Sequence, residues 1–189
     1  MDKRDRLVRL LHERSFRTGR FVLTSGKESN YYIDVRATST DPQGAALIGD
    51  LLLDLADELG GVDAIAGMVL GAVPVAMAAV ARSADRGKPV SALLVRKEAK
   101  GHGRGKRVEG SIRPGLRVLV VDDVATTAGS TLQTVDAVLD EVPEAEIAAV
   151  VAVVDRNEGG REACAERGYQ LRSLVTVDEL FALGDNPVE

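Results

Sequence analysis

Residues 116–131, Leu-Arg-Val-Leu-Val-Val-Asp-Asp-Val-Ala-Thr-Thr-Ala-Gly-Ser-Thr, constrain the fold more than any other stretch of the chain. The apolar run 118–121 reads as a buried strand. Two carboxylates, Asp122 and Asp123, follow, then a short loop of Thr, Ala, Gly and Ser. Over 131–139 the spacing of Leu132, Val135, Val138 and Leu139 predicts a helix. A strand feeding a small-residue loop that opens a helix builds an anion site, because the loop N–H groups and the helix N-terminus both point at negative charge. Thr126, Thr127, Ser130 and Thr131 add hydroxyl donors. The loop lacks the G-x-x-x-x-G-K-[ST] spacing of a nucleotide P-loop and the G-x-G-x-x-G of a dinucleotide fold. The expected ligand is therefore a lone phosphate, with the acid pair facing a group rich in hydroxyls. The alternative is an ordinary strand-to-helix turn with capping residues.

The same strand, loop and helix pattern recurs. A helix is expected from Asp41-Pro42 to about Glu58, closed by Gly60-Gly61. A strand over 63–69, a tight loop through Gly71 and an Ala-rich helix over 75–84 follow. Further strands are expected over 90–95, 147–154 and 169–175, with helices over 161–167 and 177–183. An amphipathic helix over 3–14 precedes them all, with Leu7, Leu10 and Leu11 on one face. This alternation predicts an α/β fold, and 189 residues suit one such domain with a substantial core.

Charge is uneven. The chain carries −5 overall, which argues against nucleic-acid binding, yet residues 96–107 hold six basic side chains and one acid. Gly101, Gly103 and Gly105 alternate with those cations and oppose stable helix or strand. A solvated surface run is the bland reading. A mobile cationic lid over a multiply charged anion accounts for both the charge and the glycines. No apolar run reaches membrane-spanning length, and no secretory apolar region follows the N-terminus. The single Cys164 excludes an internal disulfide, suits a reducing compartment and reads as buried filler rather than nucleophile. A cytoplasmic protein with no membrane partner is the expectation.

Three stretches carry a family resemblance. The acid pair with its Thr-rich loop resembles the phosphoribosyl pyrophosphate (PRPP) signature of the type I phosphoribosyltransferases. Phe-x-Leu-x-Ser-Gly-x-x-Ser-x-Tyr-Tyr-Ile-Asp, residues 21–34, resembles the N-terminal hood of the orotate phosphoribosyltransferases. Arg-Lys-Glu-Ala-Lys-x-His-Gly, residues 96–103, matches that family's catalytic loop. Two departures stand out: Ala128 where the family usually has Gly, which suggests a slightly reshaped loop, and Thr24 where some members have Lys. Some relatives also carry Lys at the Gly71 position.

The resemblance implies a parallel sheet flanked by helices, with a hood over about 1–40, a core over about 41–189 and a lid over about 97–110. It implies transfer of the phosphoribosyl group from PRPP to orotate, with Mg²⁺, giving orotidine 5'-monophosphate and pyrophosphate in pyrimidine (UMP) biosynthesis. Lys97, Lys100 and His102 would neutralise the leaving pyrophosphate, and Asp122 and Asp123 would hold the ribose hydroxyls. PRPP would be bound by these five together with Arg96, Val124, Ala125, Thr126, Thr127, Ala128, Gly129 and Ser130. Orotate would meet Thr126, Arg156, Tyr31 and Tyr32, with Arg156 on its carboxylate. Mg²⁺ would be held mainly through PRPP and water, without direct protein ligands. A homodimer with each lid serving the neighbouring site is also implied. The competing readings are a purine or other base phosphoribosyltransferase, against which the hood and lid speak, and a non-catalytic PRPP-sensing regulator. A regulator of that kind is expected to add a DNA-binding segment, for which a 189-residue acidic domain has no room.

Overall fold

The computed structural model describes residues 2–22, 26, 28–98 and 105–187. Helix α1 (Lys3–Arg14) is capped by Asp2, whose carboxylate accepts from Asp5 N–H. It leads into an antiparallel hairpin, β1 (Phe16–Val22) with β2 (Glu28–Ile33), which forms a separate two-stranded sheet, the hood. A one-turn helix α2 (Arg36–Ser39), not anticipated from periodicity, connects to α3 (Pro42–Glu58). There Asp41 caps the N-terminus and Pro42 occupies the first turn, where its missing N–H costs nothing.

The core runs β3 (Ala64–Met68), α4 (Ala72–Asp85), β4 (Ser91–Val95), β5 (Val108–Gly110), β6 (Arg117–Ala125), α5 (Gly129–Glu141), β7 (Glu146–Asp155), α6 (Gly160–Glu166), β8 (Leu171–Thr176) and α7 (Val177–Phe181). It alternates strand and helix except for three successive strands, β4, β5 and β6. The six-stranded sheet has the order β5-β4-β3-β6-β7-β8. All neighbouring pairs are parallel except β4 with β5. Both faces are covered, which is why the central strands read as unbroken apolar runs. Leu119, Val121, Val151 and Val153 pack with α1, α3 and α4 on one face. Val118, Val120, Val150 and Ala152 pack with α5 and Cys164 of α6 on the other. Cys164 is fully buried and unpaired with another thiol, as its helical context suggested.

Two boundaries differ from the sequence expectation in ways that matter. Helix α4 begins at Ala72 rather than 75, so the loop after β3 is only 69–71. Strand β6 does not stop at 121 but runs nine residues, through both aspartates to Ala125. Pairing with β7 from Arg117 to Ala125 carries it that far.

Candidate active site

The strand order places four C-terminal strand ends side by side: β4, β3, β6 and β7. Helix α4, leaving β3, packs on one face of the sheet, while α5, leaving β6, packs on the other. The crevice between β3 and β6 is therefore the point where the chain winds in opposite directions, the usual ligand site of an open α/β sheet. Into it project the 69–71 loop, the lid root beyond Val95, the acid pair with its loop, and Arg156.

Consecutive strand residues face opposite ways, and this divides the acid pair. Asp122 turns inward and is only 6% exposed. Its Oδ2 accepts from Ser130 Oγ and Thr131 Oγ1, each at 2.6 Å, and its Oδ1 from Asp123 N–H at 3.0 Å. Asp122 thus pins the first turn of α5 to the strand. Asp123 turns toward the other loop. A Cβ added at Gly71 would lie 2.4 Å from Asp123 Oδ2, so any larger residue there must displace the Asp123 carboxylate. Burial first, and the neighbouring Asp122 charge second, push the Asp123 carboxyl up to about 6. Asp123, which faces the crevice, thus carries a poorly compensated charge.

Thr126 and Thr127 follow the end of β6, and Ala128 precedes α5. Ala128 adopts φ 57, ψ 20 while 98% buried, so the loop keeps the left-handed step that a glycine would favour. Thr127, Gly129 and Ser130 are exposed toward solvent, and Thr126 is half-buried. Thr134 Oγ1 bonds the Ser130 carbonyl, while Val124 and Ala125 lie within the strand.

Arg156 follows β7, its N–H bonded to the Ala125 carbonyl at 2.9 Å, so it stands directly beside the Thr-rich loop. Its side chain is 9% exposed. Nε donates to the Tyr31 hydroxyl at 2.9 Å and Nη2 meets Glu158 Oε1 at 2.8 Å. The guanidinium carbon lies 4.5 Å from the Tyr31 ring centroid. Tyr31 in turn packs edge-on against Phe181 of α7, which also meets Phe16 edge-on. The hood is thereby anchored over the end of β7.

Tyr31 and Tyr32, both expected at the base, are placed differently. Alternation along β2 sends Tyr31 to Arg156, while Tyr32 points the other way, 40% exposed, with Phe21 at 5.7 Å between centroids. Sequence reasoning passed over Arg36, which forks onto Asp34 through Nε and Nη2 at 2.8 Å each. Asp34's hydrogen bonds raise the guanidinium's pKa, with smaller contributions from Tyr32 and Asp123, which sets this cation at the hood side of the crevice. Glu158 was passed over as well; nothing in its spacing distinguishes it from any loop glutamate.

An antiparallel clasp holds the two described ends of the cationic run. Arg96 N–H bonds the Arg107 carbonyl, Arg107 Nε bonds the Arg96 carbonyl, and Arg96 Nε pairs with Glu109. Glu141, at the C-terminal end of α5, accepts from the N–H groups of Arg107 and Val108. Lys97 is exposed. Lys100 and His102 lie outside the described residues, as does Thr24. Among the described residues, no three carboxylate, imidazole or thiol groups gather as a metal site, and no helix is long and apolar enough to cross a membrane.

Comparison with known proteins gives one consistent outcome. Residues 38–170 match the phosphoribosyl transferase domain family. The chain is 46% identical over 180 residues to the orotate phosphoribosyltransferase of Pyrococcus furiosus, covering 94% of this chain and 95% of that protein. It is 44% identical to that of Thermococcus kodakarensis, over 98% and 97% of the two chains. Among solved structures it resembles the Mycobacterium tuberculosis orotate phosphoribosyltransferase in complex with PRPP, with a TM-score of 0.77, 35% identity, and 95% and 99% coverage. The same protein in complex with Fe(III) dicitrate gives a TM-score of 0.82 at 38% identity, with the same coverage.

Proposed function

Because the chain belongs to the phosphoribosyltransferase family, within its orotate phosphoribosyltransferases, we propose that it transfers the 5-phosphoribosyl group from PRPP to orotate, giving orotidine 5'-monophosphate and pyrophosphate. One observation carries the base assignment: a nearly buried guanidinium, Arg156, stands beside the phosphate loop with an aromatic ring from the hood against it. A guanidinium fork matches a carboxylate, and orotate is a pyrimidine base that bears one, whereas a purine offers only neutral carbonyl and ring-nitrogen acceptors in place of that charge.

The reaction breaks the bond from the anomeric carbon to a pyrophosphate oxygen, whose electron pair leaves with pyrophosphate. A ring nitrogen of orotate supplies the pair for the new bond and gives up its proton, which leaves to the departing pyrophosphate or to water. Positive charge develops on the ribose and negative charge on the leaving group. Asp123 faces the crevice with poorly compensated charge, which suits it to the ribose hydroxyls and to a ring becoming cationic. The hydroxyls of Thr126 and Thr127, with the N–H groups opening α5, that of Ser130 among them, would hold the 5-phosphate; the Ser130 and Thr131 hydroxyls are instead given to Asp122, which would keep that helix end in place. Binding energy gathered there, away from the reacting carbon, lowers the barrier when it is realised only in the transition state.

Arg96, Lys97, Lys100 and His102 would converge on the departing pyrophosphate as the lid closes. Mg²⁺, which usually keeps several waters and takes substrate phosphates, would be held mainly through PRPP and water; the negative charge of Asp123 beside the crevice suits a cation nearby, and when bound the ion would shield pyrophosphate charge. The lid is proposed to act on the partner site of a homodimer. Its root is clasped at Arg96 and Arg107, and the run between carries few apolar groups to pack on its own domain. At about 3.3 Å per extended residue it reaches well beyond its strand end. The hood, core and lid would form one cytoplasmic domain, and a buried free Cys164 suits a reducing compartment.

The test is a panel of bases with PRPP and Mg²⁺, followed by base absorbance. Orotate should be consumed fastest; faster turnover of adenine, hypoxanthine or uracil overturns the assignment.

A further inference from the structure

The contacts of Arg156 leave one residue without a role in the reaction as described. Glu158 is 42% exposed, and at such exposure an ion pair contributes little to folding. Yet it closes a three-membered ring of hydrogen bonds. Arg156 Nε donates to the Tyr31 hydroxyl at 2.9 Å, and Tyr31 donates to Glu158 Oε1 at 3.1 Å. The same Oε1 accepts from Arg156 Nη2 at 2.8 Å. Tyr31 must stay protonated to play both parts, and burial raises its phenol above the ordinary value.

The ring consumes one edge of a planar fork. Nε and Nη2 face Tyr31 and Glu158, which leaves the opposite edge, Nη1 with the second hydrogen of Nη2, for a ligand. The loop that presents both residues is itself fixed. Asp155, wholly buried, accepts from Asn157 N–H at 2.9 Å and Arg161 Nε at 2.7 Å, and Asn157 sits at φ 56. Asn157 Nδ2 is tied to Asp178 at 2.8 Å. The backbone therefore aims Arg156 and Glu158 at the same point, and the side chains have few alternatives.

We propose that Glu158 is a positioning residue for base recognition: with Tyr31 it holds one edge of the Arg156 guanidinium so that the other edge meets the base carboxylate end-on. This rests on the orotate reading above. Without Glu158, the guanidinium loses its charged anchor and must be ordered by the substrate, an entropic cost that appears in orotate affinity rather than in the bond-breaking step. A neutral hydrogen-bond acceptor at the same place should keep most of the ordering, because the geometry rather than the charge aims the fork.

The experiment measures KM for orotate, KM for PRPP and kcat in Glu158→Ala, Glu158→Gln, Tyr31→Phe and Arg156→Ala, with urea unfolding of each. Glu158→Ala should raise the orotate KM about tenfold, with kcat and the PRPP KM within about twofold; that is a coupling of ordinary size for residues sharing one network. Glu158→Gln should recover to within about threefold of wild type by the same reasoning. Combining Tyr31→Phe with Glu158→Ala should cost no more than the larger single change, because either alone opens the ring. An orotate KM that is unchanged or lower in Glu158→Ala overturns the proposal; a lower value would mean that Glu158 competes with substrate for Arg156. If Arg156→Ala itself leaves the orotate KM unchanged, the orotate site is wrongly assigned, a failure distinct from that of Glu158. Should Glu158→Ala not fold, Tyr31→Phe decides alone, because it too opens the ring: a wild-type orotate KM in Tyr31→Phe with Arg156→Ala impaired overturns the proposal.

Discussion

Replacing the two adjacent aspartates by asparagine should change stability in opposite directions. Asp123 has a carboxyl raised from 3.8 to about 6 in the fold. At 1.36 kcal/mol per unit this is about 3 kcal/mol, and partial access of water to the side chain reduces it to about 2 kcal/mol. The sign follows from proton uptake. Between pH 3.8 and about 6 the folded state binds more protons than the unfolded one, so stability falls as pH rises through that window. Above it the full penalty is present, and below it the penalty vanishes. Asp123→Asn removes the charge and should raise unfolding free energy by about 2 kcal/mol at pH 8, near 4–8 °C in Tm for a chain of this length, and by only about a fifth of that at pH 4. Asp122→Asn should do the reverse. Its buried carboxylate accepts two hydroxyl bonds at 2.6 Å, and losing the charged acceptor should cost about 2 kcal/mol. The assay is urea unfolding of the substrate-free protein at pH 8 and pH 4, at matched protein concentration. Both variants should lose turnover, so Asp123→Asn should be more stable and less active, the signature of a carboxylate placed for function. If Asp123→Asn is no more stable than wild type at pH 8, or gains equally at pH 4, the charge reasoning is refuted.

Other outcomes follow from single contacts. Gly71→Ala puts a methyl 2.4 Å from Asp123 Oδ2; turnover should fall at least about tenfold with little loss of Tm, because the displaced group is the crevice carboxylate, and wild-type turnover would show that Asp123 can move freely. Mixing inactive Lys100→Ala and Asp123→Asn subunits should restore roughly half of wild-type activity per mixed dimer, since one of its two sites is then free of both changes; a mixture that stays inactive after exchange is verified by mass means the lid serves its own site. Glu141→Ala removes both acceptors from the lid root and should raise the PRPP KM while leaving the orotate KM alone; equal effects on both would count against a hinge role.

Much of the site was legible along the chain because it consists of local patterns. The Thr-rich loop and Arg156 each follow a strand signal by a few residues, and a strand end with small or charged residues after it is a short-range feature, whereas residues 99–104 of the cationic run lie outside the described residues. The α/β alternation was equally local, since both faces of the central strands are covered and their sequences are apolar throughout. The unequal duties of Asp122 and Asp123 were hidden by taking β6 to end at 121. Once pairing with β7 carries the strand to Ala125, alternation alone sends one carboxylate to α5 and the other to Gly71. The same alternation separates Tyr31 from Tyr32.

The sequence by itself determined which chemical groups the protein owns and which short segment carries each: donors at a helix start, a cation run, an acid pair and a guanidinium after an apolar strand. Only the tertiary structure decided which of them meet. The order β4-β3-β6-β7 sets four distant segments edge to edge. The hood then crosses more than a hundred residues of chain to bring Tyr31 onto Arg156 and Glu158. Such contacts depend on strand pairing and on burial of faces remote in sequence, and no local propensity encodes them.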